Sequence, residues 1–214
     1  MKIKVILADD HSIVRDGIKA VVEKRGEGIQ VTGEAANGME VLKLASAKPA
    51  DVYVIDISMP QLNGIETTAR LLTQDPQAKV IILSMHDDRT FVERALRSGA
   101  KGYILKETAT QEIVEGIREV HNGHYYLTPR ISSYLVENFL EKEPQEQAVS
   151  PLSSKERGIL QLLAEGSNSK EIAAQLELSL HTVHVHKNNI MKKLNIHRQA
   201  DLIKFAIKQG IIDL

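Results

Sequence analysis

The sequence contains no cysteine and no tryptophan, and aromatic residues make up only 4% of it. Without cysteine the chain cannot form disulfides, thiolate metal sites or thiol nucleophiles. It has no apolar run near the ~18–20 residues that a membrane-spanning helix needs. Residues 1–5 lack the apolar stretch of a signal peptide. We therefore expect a cytoplasmic protein without a membrane partner, whose cores consist mainly of aliphatic side chains.

Charge is distributed unevenly along the 214 residues, a length that suits one large domain or two small ones. Residues 151–214 hold nine Lys/Arg and six Asp/Glu, a net charge of +3, whereas residues 1–150 carry a net charge of −4. An acidic part joined to a basic part indicates separate tasks, with a polyanion as a candidate partner of the basic part.

Strand and helix patterns alternate in the first 122 residues. Five apolar runs predict strands at residues 3–8, 29–35, 52–57, 79–84 and 102–106, and each run precedes a segment with helical spacing. Ser12 is the predicted cap of the first helix. This alternation is typical of an α/β fold, a doubly wound sheet of five parallel strands in the flavodoxin-like order 2-1-3-4-5.

The rest of the chain predicts helices only. Residues 129–140 have the spacing of an amphipathic helix, and residues 141–147 have the polar composition of a flexible linker. Helical patterns then cover residues 153–163, 169–176, 180–194 and 199–209. We expect a first domain at residues 1–122, a linker at 123–150 and a small all-α domain at 151–214.

Charged and hydroxyl side chains stand where four of the predicted strands end: Asp9, Asp10, Asp56, Ser84 and Lys106. The carboxyl ends of such strands meet at one edge of the sheet. Close carboxylates repel one another unless a cation joins them, and Mg²⁺ prefers carboxylate and phosphate oxygens. Asp56 could then form an aspartyl phosphate, while Lys106 neutralises charge and Ser84 donates to a phosphate oxygen.

Other interpretations of these residues remain open. Each residue alone could be an ordinary strand end, helix cap or surface lysine. A metal-dependent phosphatase would use Asp56 as its nucleophile, although Ser58 stands where such enzymes usually carry a second carboxylate. A constitutive binding module would never accept phosphate.

The helices predicted at residues 169–176 and 180–194 have the arrangement of a helix-turn-helix. The second helix presents an outward face that carries His184, Val185, Asn188 and Lys192. Such side chains can reach base edges and phosphates in the major groove of DNA. The alternative is an ordinary helical hairpin with a solvated face, because the turn lacks the glycine often found there.

Residues 1–122 resemble the receiver domain of bacterial two-component response regulators. The resemblance rests on residues 7–11, 56–60, 82–84 and 99–106, together with Gly64. It implies that a sensor histidine kinase phosphorylates Asp56. It implies a Mg²⁺ site formed by Asp10, Asp56 and the Ser58 carbonyl, with Asp9 assisting. It also implies a switch in which the Ser84 hydroxyl moves toward the phosphate while the Tyr103 ring turns inward.

Residues 152–207 resemble the LuxR/NarL-type output domain, through residues 152–156, 160–166, 170–173, 179–183 and 186–194. The resemblance implies that Thr182 and Lys193 contact DNA phosphates and that Glu156 fixes helix packing. We expect Lys187 to strengthen DNA binding as well. His184 stands where the family often has lysine, so one phosphate contact is lost.

Together these features predict a transcription regulator, not a turnover enzyme. Its expected partners are the kinase, double-stranded promoter DNA and a second copy of the chain, with RNA polymerase as a further candidate.

Overall fold

The computed structural model describes residues 2–140, 152–209 and 211–212. The chain divides into two compact units, Met1–Gln145 and Glu146–Leu214. The first unit contains all the strands of the described residues, and the described part of the second is helical. Within the described residues, no helix is long and apolar enough to cross a membrane.

A parallel sheet forms the centre of the first unit. Its strands are β1 (Ile3–Ala8), β2 (Ile29–Ala35), β3 (Val52–Asp56), β4 (Val80–Ser84), β5 (Gly102–Leu105) and β6 (Tyr126–Leu127). The observed order is β2-β1-β3-β4-β5-β6, which confirms the predicted order of the first five strands. The predicted count of five was one strand short, because β6 has only two residues and leaves no apolar run to detect.

Six helices of the described residues flank this sheet. They are α1 (Ser12–Arg25), α2 (Gly38–Ala47), α3 (Gly64–Gln74), α4 (Arg89–Arg97), α5 (Ala109–His121) and α6 (Pro129–Leu140). The side chains of Asn37 and Asn63 cap α2 and α3 by accepting from the third N–H of each helix. The prediction that Ser12 caps α1 was wrong, because His11 occupies the cap position and makes no side-chain cap bond.

Alternate residues of the central strands enter two different cores. In β3, Tyr53 and Ile55 pack in the core that includes α2, α3 and α4. Val52 and Val54 pack on the other face, in the core that includes α1 and α5. Every residue of β3 and β4 is buried, as expected for strands covered by helices on both faces.

The chain beyond residue 122 continues to pack on the first unit. β6 pairs with β5, and Leu127 and Leu135 contact the core in which Ile131 is completely buried. The helix predicted at residues 129–140 is therefore present as α6 and contributes to this core. The linker predicted at residues 141–147 lies outside the described residues.

The second unit contains α7 (Ser154–Ala164), α8 (Ser169–Gln175), α9 (Leu180–Leu194) and α10 (Gln199–Lys208). Its core includes Ile159, Ile172, Val183 and Ile190. The turn from α8 to α9 contains no glycine, and Glu177 takes the left-handed conformation there, with φ of 53°. The Ser179 side chain accepts from the Thr182 N–H and so begins α9.

Candidate functional sites

The polar residues predicted at the strand ends lie together at the carboxyl edge of the sheet. The Lys106 Nζ lies 2.9 Å from Asp9 Oδ2 and 2.9 Å from Asp56 Oδ2. Both carboxylates are almost completely buried, whereas the Asp10 side chain is about one-third exposed. The sheet thus forms a pocket with buried acids in its floor and Asp10 at its opening.

For both Asp56 and Lys106, burial and the opposite charge nearby shift the pKa in opposite directions. Burial raises the pKa of Asp56 to about 6, although Lys106 acts to lower it and Asp9 raises it further. Burial alone would lower the pKa of Lys106, but the carboxylates of Asp56 and Asp9 outweigh burial and raise it. One ammonium therefore does not fully compensate these buried acids, and a second cation would stabilise the charged form of Asp56.

The donor set fits a hard divalent cation. Ligand atoms of Asp9, Asp10, His11 and Asp56 all lie within 4.8 Å of one another. Three carboxylates beside an open side are the oxygen ligands that Mg²⁺ prefers, since this ion keeps several of its waters. The Ser58 N–H donates to the Asp56 carboxylate; the Ser58 carbonyl as a metal ligand stays a prediction.

Three residues that sequence reasoning missed support the loop after β1. The His11 N–H donates to Asp9 Oδ1 at 2.9 Å, and the His11 Nδ1 lies 2.8 Å from Asp10 Oδ1. From α1, Arg15 donates to the backbone carbonyl of Asp9 at 2.7 Å and to Glu34 of β2 at 3.2 Å. The only feature of the sequence that could have indicated a role for Arg15 is its position, one helical turn after His11.

The hydroxyls of Ser84 and Tyr103 both bond to the backbone of His86, the residue after Met85. The Ser84 hydroxyl accepts from the His86 N–H at 2.9 Å, and the Tyr103 hydroxyl donates to the His86 carbonyl at 2.7 Å. The His86 ring stacks on Phe91 at 3.9 Å. Tyr103 is fully buried, so its ring lies in the inward position. This burial also raises the pKa of its hydroxyl.

The segment from β6 into α6 also contacts this edge, through two residues that the sequence did not indicate. The Thr128 hydroxyl accepts from the Leu105 N–H at 3.2 Å. Arg130 forms ion pairs with Asp87, which follows β4, and with Glu107, which follows Lys106. The start of α6 is thereby joined to both loops beside the pocket.

On α9, the predicted division into two faces is present. Val183 and Ile190 are buried, and the exposed residues include His184, Val185, Asn188 and Lys192. Thr182 is partly buried, and its hydroxyl lies 2.7 Å from that of Ser179. The exposed face therefore combines hydrogen-bonding, apolar and cationic groups that suit a DNA groove.

Two lysines predicted to strengthen DNA binding have partners within the second unit. The Lys187 Nζ donates to the Gln199 side chain at 3.0 Å, and the Lys193 Nζ donates to Glu156 at 2.7 Å. Glu156 also accepts from Ser153, and the Lys193 ammonium is the main cause that lowers the pKa of Glu156 to about 2. Glu156 thus fixes the start of α7 against the end of α9, while the phosphate contacts stay a prediction.

Two sequence-family models cover most of the chain. Residues 5–118 match the response regulator receiver domain, and residues 150–206 match the bacterial regulatory proteins of the luxR family. The two matches correspond to the unit that holds the acidic pocket and to the helical unit that holds α9.

Known proteins are similar over almost the whole chain. The oxygen regulatory protein NreC of Staphylococcus carnosus is 34% identical over 216 residues, which cover 98% of this chain and 99% of NreC. A structure of the two-component response regulator RcsB with DNA is 26% identical with a TM-score of 0.60, covering 96% of this chain and 98% of RcsB. A structure of two RcsB dimers on two parallel DNAs is 27% identical with a TM-score of 0.61 and covers the same shares of both chains.

Proposed function

This chain belongs to the response regulators that join a receiver domain to a LuxR-type DNA-binding domain, and we propose that phosphorylation of Asp56 controls its binding to DNA. As a member of this family it is a transcription regulator. The observation that carries the proposal is the buried Asp56 carboxylate, 2.9 Å from Lys106 and beside two further aspartates. We infer that a sensor histidine kinase supplies the phosphoryl group.

In the proposed transfer, an Asp56 carboxylate oxygen forms a bond to phosphorus while the bond from phosphorus to the kinase histidine nitrogen breaks. Lys106 contacts Asp56 directly and is placed to neutralise the oxygens of the transferred group. Asp10, Asp56 and the Ser58 carbonyl would hold Mg²⁺, with Asp9 assisting. When bound, this ion supplies the positive charge that stabilises the transferred phosphoryl oxygens.

The proposed switch uses contacts that meet at His86. Phosphorylation adds about −1.5 to −2 charge and new acceptor oxygens close to Ser84. The Ser84 hydroxyl would then donate to a phosphoryl oxygen, while the bond from Tyr103 to the His86 carbonyl keeps the ring inward. The effect is a change in the loop after β4 and not a released product, which suits a regulator better than a turnover enzyme.

The proposed DNA-reading element is α9. His184, Val185 and Asn188 would lie against base edges, while Thr182, Lys187, Lys192 and Lys193 would contact phosphates. A dimer would place two copies of α9 in successive major grooves, with half-sites about one helical turn apart. The solved structure of two RcsB dimers on two parallel DNAs supports DNA binding as a dimer, since RcsB is a related chain.

Acetyl phosphate with Mg²⁺ tests the phosphoacceptor. We expect intact-mass analysis to show a phosphoryl group on the wild type and on Asp16→Asn, a control that removes an exposed carboxylate outside the pocket. Asp56→Asn should show none. Affinity for promoter fragments should rise only in the labelled proteins. Equal labelling of Asp56→Asn and the wild type would contradict the assignment.

A further inference from the structure

Arg15 joins three parts of the first unit around the acidic pocket. Its side chain is only 19% exposed although it lies on a surface helix. One nitrogen donates to the Asp9 backbone carbonyl at 2.7 Å, and another donates to Glu34 Oε2 at 3.2 Å. A single guanidinium therefore connects α1, the loop after β1 and the neighbouring strand β2.

These bonds hold the orientation of the peptide group between Asp9 and Asp10. The Asp9 carbonyl belongs to the planar Asp9–Asp10 peptide, so its orientation fixes the N–Cα bond of Asp10, which is the axis about which the Asp10 side chain is placed. Asp9 itself is held on several sides, by Ala35, His11 and Lys106. Asp10 is more exposed, and its side chain contacts His11, its neighbour in sequence. The donor to the Asp9 carbonyl is thus well placed to orient Asp10.

We propose that Arg15 is a positioning residue that presets Asp10 and Asp9 for the divalent cation. This inference rests on the proposed function of the pocket and adds a residue that contacts neither the cation nor the phosphoryl group. A guanidinium suits the role because its planar array of donors can bond a carbonyl and a carboxylate together. Groups that orient metal ligands from outside usually change metal affinity by about 10–100-fold when removed.

Glu34 anchors Arg15, and its second partner, Lys19, provides a matched control. Its Oε2 accepts from Arg15, while its Oε1 accepts from Lys19 at 2.6 Å. Lys19 lies one helical turn after Arg15, carries the same charge and donates to the same carboxylate. Lys19→Ala therefore removes a cation from this cluster while it leaves the bond to the Asp9 carbonyl in place.

The test measures Mg²⁺ binding to the full chain by calorimetry, without a phosphoryl donor. We expect Arg15→Ala to weaken Mg²⁺ binding by roughly ten-fold or more, Lys19→Ala to bind as the wild type does, and Arg15→Lys to recover part of the loss. Acetyl phosphate labelling of Asp56 provides a second readout. Arg15→Ala should need more Mg²⁺ for half-maximal labelling, yet approach the wild-type rate when Mg²⁺ saturates.

The outcomes separate this inference from the proposed function. If the wild type binds no Mg²⁺, or if labelling does not need Asp56, the proposed function fails. If the wild type passes both tests and folded Arg15→Ala binds Mg²⁺ with wild-type affinity, the positioning role is overturned. Should Arg15→Ala not fold, Arg15→Met decides, because it keeps the length of the side chain but removes the donors to the Asp9 carbonyl. A loss of Mg²⁺ affinity supports the role, and unchanged affinity overturns it.

Discussion

Thr128 bonds twice to the backbone carbonyl of Tyr103, through its own N–H at 3.1 Å and through its hydroxyl at 3.3 Å. The same hydroxyl accepts from the Leu105 N–H. One side chain therefore completes the hydrogen bonds of the outer edge of β5, the strand that holds Tyr103 and leads into Lys106. A hydroxyl side chain suits this position, because one small group both donates and accepts there.

Thr128→Val should destabilise the first unit by about 1–3 kcal/mol, because it keeps the branched shape and leaves a buried N–H without its acceptor. Denaturant unfolding, followed by the NMR signals of core residues of the first unit, would measure the change. Thr73→Val is the matched control, since the Thr73 hydroxyl bonds only its own exposed helix turn. An equal effect of both substitutions would show that the buried hydroxyl has no special role.

Gly38→Ala should destabilise the first unit by about 1–3 kcal/mol through steric overlap. A Cβ at Gly38 would lie 1.9 Å from Thr67 Oγ1 and 2.5 Å from the Leu62 carbonyl, so the loop between β3 and α3 would have to move. Gly17→Ala is the opposite case, because nothing lies within 4 Å of its Cβ position and a helix interior favours alanine by about 0.5–1 kcal/mol. Thermal unfolding should therefore shift down for the first variant and up for the second.

Glu156→Gln should lower the unfolding free energy of the second unit by about 1–3 kcal/mol at pH 7. The Lys193 ammonium lowers the pKa of Glu156 from 4.5 to about 2 in the folded state. The stabilisation is therefore complete above pH 4.5 and is lost as pH falls toward 2. The difference between the wild type and Glu156→Gln should shrink over that range.

The methyl NMR signals of Ile159 and Ile190 would follow unfolding of this unit in the full chain. Lys193→Met completes a double-mutant cycle, in which the two substitutions together should cost less than the sum of the single ones. A difference between the wild type and Glu156→Gln that stays constant from pH 7 to pH 2 would contradict the assigned role of the pair.

Lys187→Ala and Lys192→Ala should each weaken DNA binding and reduce the slope of log affinity against log salt by about 0.9, the value for one lost phosphate contact. Lys155→Ala removes the same charge from α7 and should leave the slope unchanged. Affinity for a promoter fragment at several salt concentrations measures all three. If the α9 variants keep the wild-type slope, these lysines do not contact DNA phosphates.

Much of the fold was predictable because its strands are uninterrupted apolar runs that end at turn residues. The predicted β1 and β2 have the observed ends, and three others differ by one residue. β6 could not be predicted, because its two residues become a strand only through pairing with β5. The cap of α1 was misassigned because Ser12 has the right residue type but lies inside the helix.

The candidate site was predictable to the extent that it is built from strand ends, because parallel strands bring their carboxyl ends together whatever lies between them. Asp9, Asp56 and Lys106 meet for that reason. Arg15 and Arg130 come from helices, and their contacts depend on which neighbouring loop each helix covers. The partner of Lys193 was equally hidden, since Glu156 lies 37 residues earlier in the chain.

The pairing of β6 with β5 has a consequence for the design of chimeric proteins that contain this receiver. A receiver cut from the chain at Asn122 would lose β6 and Thr128, exposing a bare strand edge beside Tyr103 and removing Ile131 from the core. Such a fragment would be prone to self-association through that edge. Chimeras that attach this receiver to a foreign effector should therefore join the two sequences after α6.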